Sequence, residues 1–253
     1  VRELLHARPP SLAAEVDVTL ARRFGKVRPD PRIGTLLISG LARERRPDIA
    51  VAVLLWLKKV NCRVNVVHYN AALDACTKGG AWVEALELLA AMAHDKVRVD
   101  AITCSSAIGA CAKGGAWAKA LELLIKMVRE GVVMDTITYS IAISACEKEG
   151  EWMQALELLS SMALSSIEID VITYNVAISS CEKGGEWAMV LEMLNEMSER
   201  RVVMDRITYN AAISACEKGR QWVTALELLS RMVDRDVDRD RITYSAAISA
   251  CGK

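Results

Sequence analysis

A strict 35-residue period runs through most of the chain and limits the folds open to it. A Cys-x-Lys sequence, preceded six residues earlier by Asn or Ser, recurs without an insertion or deletion. The five complete units are Val66 to Asp100, Ala101 to Asp135, Thr136 to Asp170, Val171 to Asp205, and Arg206 to Asp240. Units that recur at such a period pack mainly on their neighbours, so we expect a stacked array and not a single globular core.

Further segments flank these five units. Pro31 to Asn65 has the length of a unit and keeps Arg43 in register, so we interpret it as a diverged repeat. Arg241 to Lys253 supplies the first part of a truncated repeat, and residues 1–30 form an N-terminal segment that could end a degenerate repeat. Because the chain opens on Val1 and stops inside a repeat, we expect it to be a fragment of a longer product.

Each unit contains two helical patterns separated by a turn that bears glycine in most units. In the unit Val171 to Asp205, Tyr174, Ala177, Ile178 and Cys181 share one face of the first helix. The second helix begins at Trp187 and is predicted to bury Leu191, Leu194 and Met197. A single hairpin cannot bury both stripes, so the sequence predicts an all-α fold, an α-solenoid of stacked helix-turn-helix repeats.

The opposite face of the first helix is polar apart from one aliphatic residue. At about 100° per residue, Ile172, Asn175, Ser179 and Lys183 fall on this face. When successive first helices line one surface, the equivalent residues of all units form a continuous groove. This groove is the predicted binding surface.

Cysteine and tryptophan recur once per unit and are interpreted as packing residues. The recurring cysteines lie on the packing face, and no Cys-x-x-Cys pair is present, so we expect small buried hydrophobes and neither a metal site nor a disulfide. They are Cys76, Cys111, Cys146, Cys181, Cys216 and Cys251. The tryptophans begin each second helix beside apolar residues, which favours packing over base stacking; they are Trp82, Trp117, Trp152, Trp187 and Trp222.

Composition excludes several functional classes. Only three histidines are present, none in a repeated position, and no phosphate-binding loop, zinc-protease motif or dinucleotide fingerprint occurs, so we predict no enzymatic activity, metal or cofactor. No apolar run is long enough to span a membrane. The net charge is zero, with a balance of +7 in residues 1–65 and −7 in residues 66–253. Nucleic-acid binding through bulk charge is therefore disfavoured, and any such contact must depend on local placement of cations.

A basic residue stands near the end of the first helix in every unit. It has two interpretations: a cation that complements the helix C-terminus, or a contact to phosphate along the groove. The residues are Arg43, Lys78, Lys113, Lys148, Lys183 and Lys218.

The motifs resemble those of the pentatricopeptide repeat family over Pro31 to Lys253. The resemblance lies in the period, in Val-Ile-Thr-Tyr-Asn from Val171, in Glu-Lys-Gly-Gly from Glu182, in Leu-Glu-Met-Leu-Asn-Glu-Met from Leu191, and in the closing Asp. It implies a right-handed superhelix that binds single-stranded RNA with one base per repeat. It also implies residence in a chloroplast or mitochondrion and a role in RNA processing, stability, editing or translation.

The resemblance further implies roles for individual positions. The fifth and last residues of each unit are expected to identify the base; they are Thr35 with Asn65, Asn70 with Asp100, Ser105 with Asp135, Ser140 with Asp170, Asn175 with Asp205, and Asn210 with Asp240. The second residue is expected to clamp the faces of the bases; these residues are Val67, Ile102, Ile137, Ile172, Ile207 and Ile242. In this family Asn with Asp implies uracil, Ser with Asp implies guanine and Thr with Asn implies adenine. The expected ligand is thus 5′-(A)UGGUU-3′, with the N-terminal repeat at its 5′ end.

Two other functions compete with RNA binding. A groove lined by helices can also hold an extended peptide or a helix of a protein partner, and the acidic balance of residues 66–253 favours this scaffold. The restriction of the fifth position to Asn or Ser beside an unvarying Asp favours RNA. A third hypothesis, an enzyme whose catalytic domain lies outside this sequence, has no support from the residues present.

Overall fold

The computed structural model describes residues 12–24 and 29–252. Expectations for residues 1–11 and 25–28, and for Lys253, lie outside this part of the chain. Within it the chain forms fourteen α-helices and no strand, so the predicted all-α class is confirmed.

The helices alternate between a first and a second helix of each hairpin, and each first helix starts on the first residue of a unit. The helices are α1 Leu12–Phe24, α2 Pro31–Arg43, α3 Pro47–Lys59, α4 Val66–Gly79, α5 Trp82–His94, α6 Ala101–Lys113, α7 Trp117–Arg129, α8 Thr136–Glu149, α9 Trp152–Leu164, α10 Val171–Gly184, α11 Trp187–Glu199, α12 Arg206–Lys218, α13 Trp222–Asp234 and α14 Arg241–Cys251.

The chain divides into two compact units, one ending at Met134 and the other beginning at Asp135. In the first, α2, α4 and α6 pack side by side, and each contacts its own second helix. In the second, α8, α10, α12 and α14 pack in the same way, with α9, α11 and α13 against them. Within each unit the first helices therefore form one layer and the second helices another.

The buried face of the first helix is the one predicted. Tyr174, Ala177, Ile178 and Cys181 of α10 are all completely inaccessible to solvent. Burying side chains of this size stabilises the fold by about 1.5–3 kcal/mol for each large one. These stripes are shared between neighbouring first helices, which explains why one hairpin depends on the next.

The buried face of the second helix agrees with the prediction at Leu194 and Met197 and differs from it at one residue. In α11 the core residues are Val190, Met193, Leu194 and Met197, whereas Leu191 is only half-buried. The helix is apolar at both Val190 and Leu191, so the sequence alone allows either phase. Contact with the neighbouring first helices selects Val190.

The last residue of each complete unit caps the next first helix. Asp170 has an extended backbone, and its Oδ1 accepts a hydrogen bond of 2.8 Å from the backbone N–H of Thr173. Such an N-cap contributes about 1 kcal/mol to helix stability. At the other end of α10, Gly185 adopts the left-handed conformation with φ of +78°, which ends the helix and starts the turn.

Three of the five recurring tryptophans, Trp82, Trp152 and Trp187, pack between repeats as predicted, whereas Trp222 is 53% exposed, contrary to the prediction. A Cβ added to Gly184 would lie 2.5 Å from Trp152 Cδ1 of the preceding unit, and one added to Gly114 would lie 2.6 Å from Trp82 Cδ1. Gly219 faces Trp187 in the same way. We call this recurring contact of Trp on Gly the seam; at these three junctions a Cβ in place of the glycine hydrogen would require the indole ring to shift.

The cysteines follow the prediction with one exception. All eight are free thiols, and seven are buried. Cys251 is exposed, contrary to expectation, because none of the described second helices covers the C-terminal end of α14.

Candidate nucleic-acid interface

The second residue of each unit is a large aliphatic side chain in contact with solvent. Its exposed fraction lies between 51% at Val67 and 65% at Ile102 and Ile242. The other members, Ile137, Ile172 and Ile207, fall between these values. These exposed aliphatic residues recur at the second position of every first helix from α4 to α14, whereas α2 has Arg32 there. They have no role in the core and suit an apolar ligand group.

Beside this aliphatic residue, the fifth and last residues of a unit meet a threonine of the next unit. Asn175 Nδ2 donates a hydrogen bond of 3.1 Å to Asp205 Oδ1. The hydroxyl of Thr208 lies 2.6 Å from Asn175 Oδ1 and 2.9 Å from Asp205 Oδ1. A carboxylate only accepts hydrogen bonds, so the amide nitrogen must face Asp205 and the amide oxygen must face the hydroxyl. The orientation of Asn175 is therefore fixed.

The same cluster occurs in the other units that have Asn at the fifth position. Thr243 Oγ1 lies 2.6 Å from Asn210 Oδ1, and Asn210 Nδ2 lies 3.4 Å from Asp240 Oδ1. In the first unit of the array, Thr103 Oγ1 lies 2.8 Å from Asn70 Oδ1 and 2.7 Å from Asp100 Oδ1. The structure thus brings together three of the predicted pairs.

These clusters keep the aspartates ionised. Burial disfavours the charged form of Asp205, but hydrogen bonds from Thr208 and Asn175 outweigh it and hold the pKa below its ordinary value. Burial likewise raises the pKa of Asp100, but hydrogen bonds from Thr103 and Asn70 outweigh it, so the pKa of Asp100 is also lowered. The backbone N–H of Thr243 is the largest cause of the lowered pKa of Asp240. Each cluster therefore presents a carboxylate at neutral pH.

Units with Ser at the fifth position are built differently. Asp170 Oδ1 accepts hydrogen bonds from the backbone and hydroxyl of Thr173, but among the described residues no hydrogen bond joins Asp170 to Ser140. The shorter side chain leaves Asp170 exposed, whereas Asp205 is half-buried. Ser105 is half-buried in α6, and Asp135 caps α8.

The diverged repeat does not form the cluster. The hydroxyl of Thr35 lies 3.4 Å from the carbonyl of Pro31, and Asn65 Oδ1 lies 2.7 Å from Nδ1 of His68, which occupies the place of threonine. His68 Nε2 also lies 2.9 Å from the Pro31 carbonyl. Thr35 and Asn65 thus have separate partners.

The recurring lysines contact the preceding unit. Nζ of Lys113 donates to the carbonyl of Lys78 at 2.7 Å, and Nζ of Lys218 donates to the carbonyl of Glu182 at 3.1 Å. Lys183 pairs with Glu147, also of the preceding unit, at 2.9 Å. Lys78 instead pairs with Asp74 of its own helix at 2.7 Å, while Arg43 and Lys148 are exposed. Lys113, Lys183 and Lys218 therefore stabilise the C-terminal end of a neighbouring first helix.

Residue-by-residue reasoning missed the third position of each unit. Its threonines are completely buried and contact the capping aspartate; they are Thr103, Thr138, Thr173, Thr208 and Thr243. Where the fifth residue of the unit before is Asn, the threonine also contacts that Asn. The signal was present as an unvarying Asp-x-x-Thr spacing, which is typical of an N-terminal capping box.

Other kinds of site have no basis in the described residues. No group of three or more His, Cys, Asp or Glu residues there could hold a metal ion. None of the described helices has the length and apolarity needed to span a membrane. Burial raises the pKa of the Cys181 thiol to about 12 and that of Cys216 to about 11, so these thiols are poor nucleophiles.

Solved structures with the same fold are helical-repeat proteins. The pentatricopeptide repeat protein PPR10 from maize superposes with a TM-score of 0.69 at 22% identity, over 96% of this chain and 36% of that protein. The PPR domain of Arabidopsis thaliana protein-only RNase P 1, solved in complex with tRNA, gives a TM-score of 0.62 at 17% identity, over 72% of this chain and 95% of the domain. Nuclear proteinaceous RNase P 2 from A. thaliana gives a TM-score of 0.61 at 14% identity, over 73% of this chain and 41% of that protein. The chain spans about a third of the maize protein, and at these identities the likeness concerns the fold.

Sequence comparison identifies the family. No curated protein matches the chain significantly. The family described as pentatricopeptide repeat-containing protein matches residues 36–162, and the PPR repeat family matches residues 169–218 and 204–253. These matches cover most of the chain and coincide with the helical hairpins. The chain therefore belongs to the pentatricopeptide repeat family.

Proposed function

We propose that this protein binds single-stranded RNA along its first helices, with one base at each repeat, and acts in the processing, stability, editing or translation of organellar RNA. The observation that carries the proposal is the recurring cluster of Asn, Asp and Thr beside an exposed aliphatic residue. A base offers an apolar face and a polar edge, and this surface offers a partner for each.

The clusters that contain Asn suit uracil. The contacts to Thr208 and Asp205 use one N–H of Asn175 and Oδ1 of Asp205, so the second N–H of Asn175 and the second carboxylate oxygen of Asp205 take no part in them. The site thus offers a donor and an acceptor. Uracil presents carbonyl oxygens beside its N3–H, which complement this pair. Asn70 with Asp100 and Asn210 with Asp240 have the same amide orientation.

The units that contain Ser suit guanine. The exposed carboxylate of Asp170 has no amide against it, so it remains available as an acceptor. Guanine carries two neighbouring donors, N1–H and the N2 amino group, that a carboxylate accommodates. Ser105 with Asp135 is proposed to select guanine as well, which gives 5′-UGGUU-3′ for the complete units and an adenine at Thr35 and Asn65.

The fold also favours RNA as the ligand. The PPR domain of protein-only RNase P 1, which shares this fold, was solved in complex with tRNA. The acidic balance of residues 66–253 predicts that affinity depends on local contacts and on stacking against the aliphatic row more than on bulk charge.

The test is fluorescence anisotropy with labelled 5′-AUGGUU-3′ and a scrambled oligonucleotide of the same composition. We expect the first to bind more tightly. Asn175→Ser should shift the preference at the fifth base from uracil to guanine by about tenfold, which corresponds to ~1.4 kcal/mol. The substitution removes the amide donor and uncovers Asp205.

Asn195→Ser is the matched control, because Asn195 is exposed on the second helix α11 and the chemical change is identical. This variant should keep the preference of the wild type. Equal affinity for the two oligonucleotides would refute the base assignment, and the absence of binding to any RNA would refute the function.

A further inference from the structure

In the second compact unit, two of the recurring lysines each contact a glutamate of the preceding repeat. Glu147 Oε1 accepts hydrogen bonds of 2.8 Å from Ser179 Oγ and 2.9 Å from Lys183 Nζ, both in the following repeat. Glu182 Oε1 accepts from Ser214 and Lys218 at 2.8 Å each. The glutamate side chains are 21% and 17% exposed, so these are partly buried contacts that recur at two successive junctions. We call each set of Glu, Ser and Lys a latch.

The latch is not present at every lysine. In the unit Val66 to Asp100 the position of the glutamate is held by Thr77, whose hydroxyl lies near the carbonyls of Leu73 and Ser106. At this junction Lys113 therefore donates to the carbonyl of Lys78 and, within the described part of the chain, has no carboxylate partner. A neutral carbonyl neither cancels the charge of Lys113 nor repels a phosphate, whereas Glu147 does both for Lys183.

From this difference we infer that Glu147 and Glu182 restrain their lysines from phosphate, so that phosphate contacts along the array are graded, stronger at Lys113 and weaker at Lys183 and Lys218. The inference rests on the proposed RNA binding. A phosphate that approaches Lys183 must displace Glu147 and then lies beside its charge. Two lysines with the same position in their repeats consequently contribute unequally.

Removal of the carboxylate should release the lysine. Gln keeps the size and the acceptor oxygen of Glu but carries no charge, so Glu147→Gln and Glu182→Gln preserve the contact to serine. Each should bind 5′-AUGGUU-3′ about threefold to tenfold more tightly at 0.05 M salt, on the order of one surface ion pair. A new phosphate contact should also steepen the slope of log affinity against log salt by about 0.7.

The control is Glu192→Gln, which removes the same charge from an exposed position on the second helix α11. It measures the effect of bulk charge alone and should change affinity less and leave the slope unaltered. In the wild type, Lys113→Ala should weaken binding more than Lys183→Ala does. In the Glu147→Gln background, Lys183→Ala should abolish the gain.

The outcomes separate this inference from the proposed function. If RNA binds but Glu147→Gln and Glu192→Gln have equal effects, the latch is overturned and the function stands. If neither the wild type nor the variants bind RNA, both the inference about the latch and the proposed function are refuted. Thermal unfolding followed by circular dichroism shows whether each variant is folded. Ser179→Ala loosens the latch without a change of charge, so the inference predicts a smaller gain in RNA affinity for this variant.

Discussion

A single buried hydroxyl links two repeats at each cluster of Asn, Asp and Thr. Thr208 belongs to α12, yet its side chain contacts Asn175 of the unit before and the capping Asp205. Base selection by one repeat therefore depends on a residue of the next. Thr173 makes the same contact to its capping aspartate but has Ser140 and no Asn beside it.

This pair of threonines allows capping and base selection to be tested separately. Thr208→Val and Thr173→Val each remove one hydroxyl from a capping site and should each lower the free energy of unfolding by about 1 kcal/mol. Only Thr208→Val also frees the amide of Asn175 to rotate. It should lower the preference for uracil over guanine at the fifth base about fivefold, measured by anisotropy with the two oligonucleotides.

Thr173→Val should keep the preference for guanine at the fourth base, because Asp170 retains its backbone cap from residue 173. An equal loss of discrimination in both variants would mean that the threonine acts through helix stability and not through the orientation of Asn175.

At this scale the sequence predicted the fifth and last residues but not what holds them. The pairs came from the resemblance to the family. In the structure two of them are joined by a direct hydrogen bond, and Asn70 and Asp100 are joined through Thr103. Thr208 and Glu147 were missed because each looks ordinary in one repeat. Their partners lie in a neighbouring repeat, and a contact between repeats is visible only once the stacking is known.

At the scale of the helix, the seam determines how closely consecutive hairpins approach. Trp152 lies at the start of α9 and packs against Gly184 at the end of α10. In isolation, Gly to Ala near a helix end would stabilise the helix by up to about 1 kcal/mol. Here the new Cβ would lie 2.5 Å from the indole ring. The resulting overpacking outweighs the gain in helix stability, so the substitution should destabilise the protein.

Gly184→Ala should therefore lower the free energy of unfolding by about 1–3 kcal/mol, as measured by urea denaturation. Trp152→Ala alone should also destabilise, because it leaves a cavity. The double variant should be clearly less destabilised than the sum of the two, since the smaller residue makes room for the methyl group. Strict additivity would show that the two residues do not meet.

Helix ends were easier to predict from the sequence than helix phase. The turns were located by pairs such as Gly184-Gly185, because a left-handed residue there has few alternatives. In α11 the prediction was right for Leu194 and Met197 but named Leu191 in place of Val190, since both are apolar. Periodicity within one helix cannot decide between them, and the neighbouring helices do.

For the whole molecule, the recurring cysteines report on the integrity of the array. Seven thiols are buried, and Cys251 is exposed. Burial raises the pKa of Cys76 to about 12 and that of Cys111 to about 11, so almost no thiolate forms at these two buried sites at pH 8. A raised pKa keeps these thiols protonated until the pH approaches 11 or the fold opens.

We expect a thiol reagent at pH 8 to modify one cysteine rapidly in the native protein and all eight after denaturation in guanidinium. Mass spectrometry should place the rapid label at Cys251. Rapid labelling of Cys146 or Cys181 in the native state would contradict the burial described for the first helices. Slow labelling of the remaining sites at intermediate denaturant would show which hairpins open first.

The repetition of the same contacts at successive junctions makes individual repeats interchangeable. The seam, the latch and the capping threonine of one junction in the second compact unit have counterparts 35 residues further on. Excision of residues 171–205 would place Gly219 against Trp152, Lys218 beside Glu147 and Thr208 on Asp170. Each of these partners already has such a neighbour, so the cut ends would meet complementary surfaces. Gene duplication or deletion in steps of one repeat can therefore lengthen or shorten the array without the evolution of a new interface.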